Sequence, residues 1–356
     1  MTASASFLSK LGLKYPIIQA PMAGTSTPQL AAAVSNAGGL GSLGIAANTV
    51  EQALQAIETT RELTSAPFNV NVFCHRPAPC DEARNTTWLQ YLTPLFAEAG
   101  IAPPTTLKEI YKSFLQDDAM FEMLLQQRPA IVSFHFGLPS STHVQTLREA
   151  GIYTMATATN LQEAIWIEQA GVDAIVAQGI EAGGHRGMFD PSATDERLST
   201  SVLVRQLVKH TRLPLIAAGG IMDGQGIKAA LNLGAAAAQM GTAFVACPES
   251  AANASYRANL KSERAATTRL TATLSGRPAR GMVNRFIEFA EAAGSPEPAP
   301  YPYAYDAAKQ LIAAAVKLGN NEFSAQWAGQ GAPLVRELPA AQLVALLAEE
   351  IAASPC

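Results

Sequence analysis

Charge is scarce in this sequence. Asp, Glu, Lys and Arg make up 15% of 356 residues, with a net charge of −4. That balance excludes a nucleic-acid surface, which needs a dense basic face. A small anionic substrate stays open, because a few local cations can hold one. Cysteine is sparse too: Cys74, Cys80, Cys247 and Cys356 are scattered and read as no disulfide framework. Cys74 and Cys80 are close in sequence, but no second ligand pair follows, so no metal site is expected. No apolar run reaches the length of a membrane span. The opening MTASASFLSKLGLKYP lacks a basic stretch followed by an apolar one, so no secretory signal is read and the cytoplasm is the expected compartment. Also missing is a G-x-G-x-x-G turn leading directly from an early strand into a helix, which disfavours a separate dinucleotide-binding domain.

What is abundant is apolar residue, 48% of the chain, much of it alanine. That suits an α/β fold whose parallel sheet is covered on both sides. Short apolar runs predict strands at 16–20, 39–44, 68–73, 130–136, 152–158, 173–179, 214–220 and 235–242. Between them lie helical stretches such as TPQLAAAVSNAGG, NLQEAIWIEQAG and QGIKAALNLG, each ending near a glycine. About eight βα units are the count of a TIM (β/α)8 barrel. A doubly wound sheet is the rival, but it would carry its glycine-rich loop after the first strand. Here the denser glycine motifs come after the last three strands.

Two segments interrupt the repeat. Residues 80–127 are too long for a β3–β4 connection and hold two further helical stretches, TTWLQYLTPLFAEAG and TTLKEIYKSFLQDDAMFEMLLQQ, expected beside the barrel. A second insertion begins near Pro248 and includes the proline-rich GSPEPAPYPYAY, which favours extended chain. The expected division is a cofactor-binding barrel over 1–250, a lid or substrate-binding segment over 251–324 at the C-terminal face, and a return over 325–356. In the last, PAAQLVALLAEEIAA reads as a helix closing the barrel wall.

Sites in such barrels lie at the C-terminal ends of the strands, with phosphate held by the loops after strands seven and eight. AAGGIMDGQGIKAA and QMGTAF occupy those places, and their glycines let backbone N–H groups approach an anion. A helix starting near Asp223 could add its N-terminal end. The bland alternative is tight βα turns. Strand three offers Asn71 and strand six Gln178, two amides that suit a flat heterocycle such as a flavin, or simply close the polar top of the core.

QAPMAGTSTPQLAAAVSNAGGLGSLG, EAGGHRG, AAGGI and QMGTAF together resemble the nitronate monooxygenase family, from about Leu11 to Leu347. The PMAGTSTP form, the histidine of SFHFG and the segment YPYAYDAAK resemble its bacterial class I members. The resemblance implies FMN as cofactor, contacted by Met22, Ala23, Gly24, Asn71, Gln178, Gly183, Gly220, Gln239, Met240, Gly241 and Thr242. It implies oxidation of propionate 3-nitronate and other alkyl nitronates with O2 to a carbonyl compound plus nitrite or nitrate, a detoxification. Monomer and homodimer are both compatible with it.

His185, beyond strand six, is the expected catalytic residue, either as a base toward an acidic carbon or as a cation steadying an anion. His135 ends strand four and binds the nitro group or a carboxylate, or serves a structural role. Tyr301, Tyr305 and Lys309 match the tyrosine–tyrosine–lysine set of class I and would close over an anionic substrate; lid packing is the alternative. Trp327 is expected near the flavin ring, while His75, His143 and His210 read as surface or packing residues. The rival functions are an FMN-dependent NADH:quinone or enoyl-thioester reductase, a flavin-free barrel enzyme acting on a sugar phosphate, and a non-catalytic flavin-binding protein.

Overall fold

The computed structural model describes residues 3–77 and 80–354; Cys356 lies outside the described residues. Eight parallel strands follow the chain: β1 (Ile17–Gln19), β2 (Gly41–Gly44), β3 (Phe68–Phe73), β4 (Ile131–His135), β5 (Tyr153–Ala158), β6 (Ala174–Gln178), β7 (Leu215–Ala218) and β8 (Ala237–Met240). Each strand pairs with its sequence neighbours, and β1 pairs with β8. The ring closes where Gln19 donates to the Leu40 carbonyl and Leu40 to that of Ile17, both at 2.9 Å. Sequential neighbours in a closed ring are the TIM barrel, not the doubly wound sheet. Each expected strand contains the observed one, and β3 coincides with it. These runs are apolar because helices cover one face and the barrel interior the other.

The interior core includes Ile18, Ile131, Met155, Val176 and Ile216. The N-terminal helix Ala3–Leu11 adds Phe7 and Leu11 to it, with the Phe7 ring edge-on to Tyr153. This helix thereby plugs the N-terminal mouth, and the strand C-termini face the other, open mouth. No expectation anticipated it. The last helix, Ala340–Ala353, packs against Gly224–Asn232 and Pro28–Asn36, burying Leu343, Val344 and Leu347. None of the described helices is long and apolar enough to cross a membrane.

The first insertion differs from expectation in two ways. Only Glu82–Glu98 lies outside the barrel, packed on helix Tyr303–Lys317 through a core including Trp88, Leu92, Phe96 and Leu311. Asp118–Gln127 instead belongs to the barrel wall, its Met120, Met123 and Leu124 packed into the strand–helix core. Between them, Thr105–Ser113 is not helical despite its helical pattern. The Lys108 N–H donates to the Asp306 carboxylate at 2.8 Å, and Tyr111 is buried beside Tyr301 and Phe136. Partners outside the segment thus replace an intrahelical ladder.

The second insertion contributes a hairpin, Thr268–Thr271 with Ala279–Met282. Its inner strand also pairs with Gly184 and His185, so a three-stranded antiparallel sheet joins the loop after β6 to a segment far along the chain.

Candidate active site

A cavity of about 310 Å³ opens at the C-terminal mouth. All the expected catalytic, substrate-binding and cofactor-binding residues line it. Met22, Ala23 and Gly24 follow β1; Asn71 and His135 stand on β3 and β4; Gln178, Gly183 and His185 come from β6 and its loop. Gly220 follows β7, Gln239, Met240, Gly241 and Thr242 end β8, and the second insertion brings Tyr301, Tyr305 and Lys309. Trp327 lies on the same wall, its ring 5.3 Å from that of His185.

The amides act differently from one another. Asn71 donates through Nδ2 to the Ser133 carbonyl at 3.1 Å and hydroxyl at 2.9 Å, with no protein partner for its Oδ1 among the described residues. Gln178 has both ends engaged. Its Nε2 donates to the His185 carbonyl at 3.1 Å, and its Oε1 accepts from the Gly187 N–H at 2.7 Å. It frames the histidine loop.

His135 is fixed as well. Its Nε2 lies 3.2 Å from the His185 carbonyl and its Nδ1 3.0 Å from the Thr157 hydroxyl. A carbonyl only accepts, so Nε2 carries the proton and Nδ1 accepts from Thr157. With both nitrogens occupied, the geometry favours the structural alternative for His135 over contact with a nitro group or carboxylate.

The expected help from the helix at Asp223 is absent. Asp223 caps that helix by accepting from the Gly226 N–H at 2.8 Å, and the Glu350 carboxylate accepts from the Gly224 N–H, also at 2.8 Å. Two carboxylates already sit on the positive end. The loop after β8 differs: helix Thr242–Val245 starts there with no side-chain cap. Gly219 and Gly220, with φ +129 and +70, line the cavity in a backbone conformation that favours glycine.

His185 is held from both sides. Its backbone pairs with Ala279, and its Nε2 is 2.8 Å from the Ser275 hydroxyl. Burial, with His135 and the Arg277 guanidinium adding repulsion, pushes its pKa down to about 3. His135 and His75 are likewise pushed down to about 4, chiefly by burial. His75 is fully buried, edge-on to Tyr301, as a packing residue. Arg277 is itself buried, its guanidinium 4.2 Å from the Phe136 ring centroid. Sequence reasoning missed Ser275 and Arg277, which belong to no recognisable motif.

These shifts set a sign for stability. A histidine whose pKa is lower folded than unfolded takes up its proton on unfolding, so acid favours the unfolded chain. The stability contributed by keeping the three neutral is present above about 6.5 and lost as pH falls toward 4. At pH 5 the loss is on the order of 2 kcal/mol for each, from about 1.4 kcal/mol per pH unit. Urea unfolding of the protein is expected to show a midpoint that drops steeply from pH 7 to pH 5. A midpoint unchanged over that range would contradict the assignment.

Lys309 sits one turn after Tyr305 on helix Tyr303–Lys317, on the same face. Its ammonium is 4.8 Å from the Tyr111 ring centroid and 5.5 Å from that of Tyr305. It forms no ion pair among the described residues. The Tyr301 hydroxyl is buried with no hydrogen-bond partner among the described residues.

The family described as nitronate monooxygenase matches residues 5–350. A nitronate monooxygenase of Pseudomonas aeruginosa is 58% identical over 345 residues, covering 97% of this chain and 98% of that one. One from Paraburkholderia phytofirmans is 58% identical over 350 residues, covering 98% and 96%. Among solved structures, the nitroalkane oxidase of Streptomyces ansochromogenes is similar at a TM-score of 0.90 and 40% identity, covering 97% of each chain. FabK of Thermotoga maritima follows at 0.74 and 29%, covering 98% and 96%. The chain belongs to the nitronate monooxygenase family and is an oxidoreductase enzyme.

Proposed function

We propose that this enzyme is an FMN-dependent cytoplasmic monooxygenase that oxidises propionate 3-nitronate and other alkyl nitronates with O2, yielding a carbonyl compound and nitrite or nitrate. The observation that carries this is the convergence, in one cavity, of a neutral imidazole, an unpaired ammonium and an unpartnered buried phenol: His185, Lys309 and Tyr301. Bound FMN would supply the electron transfer and the reaction with oxygen.

The residues present fit that cofactor. The glycines after β7 and β8, Gly219, Gly220 and Gly241, line the cavity and leave backbone N–H groups open to its phosphate. A side chain at Gly24 would meet nothing within 4 Å, so the cavity is open there. The free Oδ1 of Asn71 is an acceptor for a ring N–H, with Met22, Ala23, Gly183, Gln239, Met240 and Gly241 completing the walls. Gln178 acts through the loop it frames. Residues 251–324 would serve as the lid and substrate-binding segment on a barrel of 1–250, with 325–356 returning to the wall.

The protein's own part is to place charge and protons. Lys309 holds the carboxylate of the substrate, and the Tyr301 hydroxyl donates to an oxygen of the nitro or nitronate group. His185 is neutral near pH 7 and has a lone pair free, so it is the group placed to receive the proton of a neutral nitroalkane, with the developing nitronate charge favouring its protonated form. Trp327 and Phe136 pack against its ring and keep water away.

The deciding experiment mixes the yellow protein anaerobically with propionate 3-nitronate and, separately, with NADH. Bleaching by the nitronate is expected. Bleaching by NADH alone would favour the NADH-dependent quinone or enoyl-thioester reductase instead. Lys309→Met should raise KM for propionate 3-nitronate about tenfold, equivalent to about 1.4 kcal/mol, and leave KM for ethyl nitronate nearly unchanged. Equal effects on both substrates in steady-state assays would remove Lys309 from carboxylate binding.

A further inference from the structure

Ser275 lies in the turn of the hairpin that flanks the His185 loop, 1% exposed. Its Oγ is 2.8 Å from His185 Nε2 and 3.0 Å from the Arg277 carbonyl, and it accepts from the Arg277 N–H at 3.3 Å. A serine hydroxyl has one proton and two acceptor lone pairs. The carbonyl can only accept, so the proton goes there. Toward His185 the Oγ then offers a lone pair, and Nε2 must carry the ring's hydrogen. A neutral imidazole has only one N–H, so Nδ1 is left bare. No described residue hydrogen-bonds Nδ1, and the ring forms part of the cavity wall.

We propose that Ser275 is a positioning residue that locks His185 as the Nε2–H tautomer and turns an unprotonated Nδ1 toward the substrate. The surroundings leave it that task. The His185 backbone is fixed by its pairing with Ala279, and its carbonyl receives Gln178 and His135. Phe136 and Trp327 pack against the ring, and among the described residues the Ser275 contact is the one hydrogen bond to its nitrogens. The hairpin therefore supplies the group that decides which nitrogen can take a proton. This rests on the reading of His185 as the base, so the test separates the two.

The experiment is ¹⁵N NMR of the histidine-labelled enzyme with its bound cofactor at pH 8, with His185 assigned by loss of its signals in His185→Asn. The expected wild-type spectrum has a protonated Nε2 and an unprotonated Nδ1. Ser275→Ala should give a mixture of tautomers. It should also lower kcat for a neutral nitroalkane ten- to a hundredfold with KM changed less than threefold, while turnover of the preformed nitronate changes little. Ser275→Thr, which keeps the hydroxyl, should restore tautomer and rate. A wild-type Nδ1–H tautomer, or an unchanged tautomer in Ser275→Ala, overturns the proposal. So does a shifted tautomer with undiminished nitroalkane turnover. Full nitroalkane turnover by His185→Asn would instead overturn the base reading and with it the catalytic purpose of the lock, while the spectrum still decides the tautomer.

Discussion

His185→Asn is expected to lower kcat/KM for a neutral nitroalkane by about a hundred- to ten-thousandfold, the usual span for removing a general base. Turnover of the corresponding nitronate should fall far less, because that substrate has already lost its proton. The argument rests on charge state. Burial and the neighbouring Arg277 and His135 keep the imidazole unprotonated down to about pH 3 in the unliganded protein. It is therefore unprotonated near neutrality and a poor standing cation, and it is the negative charge developing on the substrate that favours its taking the proton. Asparagine preserves size and polarity, so cavity shape and bound flavin should survive, which the visible spectrum can verify. Stopped-flow reduction with the two substrates side by side gives the answer. Equal losses on both would assign His185 to anion binding, and no loss on either would remove it from the chemistry.

The largest expected effect on folding comes from Gly41→Ala. A Cβ on Gly41 would stand 1.9 Å from the Ala31 carbonyl oxygen and 2.7 Å from the Ala31 Cα, both backbone of helix Pro28–Asn36. No side-chain rotation relieves a clash with backbone. The helix is also confined, since it packs against the helices Val50–Leu63 and Ala340–Ala353. We expect a loss on the order of 4 kcal/mol or more, in the range that marks a severe core defect. Gly151→Ala is the control. That glycine has φ +83 and nothing within 4 Å of the added Cβ, so only torsional strain of about 1 kcal/mol applies. Equal urea midpoints for the two variants would show that helix and strand can separate after all.

The barrel was legible because strands covered on both faces read as apolar runs, and polar residues at their ends stand out. Asn71, His135 and Gln178 are such residues, and all three reach the cavity. Their roles were less legible, because the partners of an amide or imidazole lie elsewhere in the chain. Gln178 looked like a ligand contact, yet both its ends hold residues of the His185 loop. The start of helix Gly224–Asn232 looked like an anion site, but Glu350, over a hundred residues later, occupies it. Thr105–Ser113 carried a helical pattern that Asp306 and the Tyr301 cluster override. Ser275 had no local signal, since its meaning depends on a hairpin docking beside β6.

The strand pairing between the His185 loop and the hairpin has a consequence for the order of events during synthesis. Ser275 follows His185 by 90 residues, and all eight barrel strands are complete before the hairpin emerges. Seven of the strand pairings join neighbours in sequence, and the eighth, β1 with β8, needs no residue beyond Met240. The nascent chain can thus close its ring while the histidine is still loose and its imidazole still hydrated. Only docking of the hairpin buries that ring and gives it a single orientation. The ring of strands can close before the site is armed.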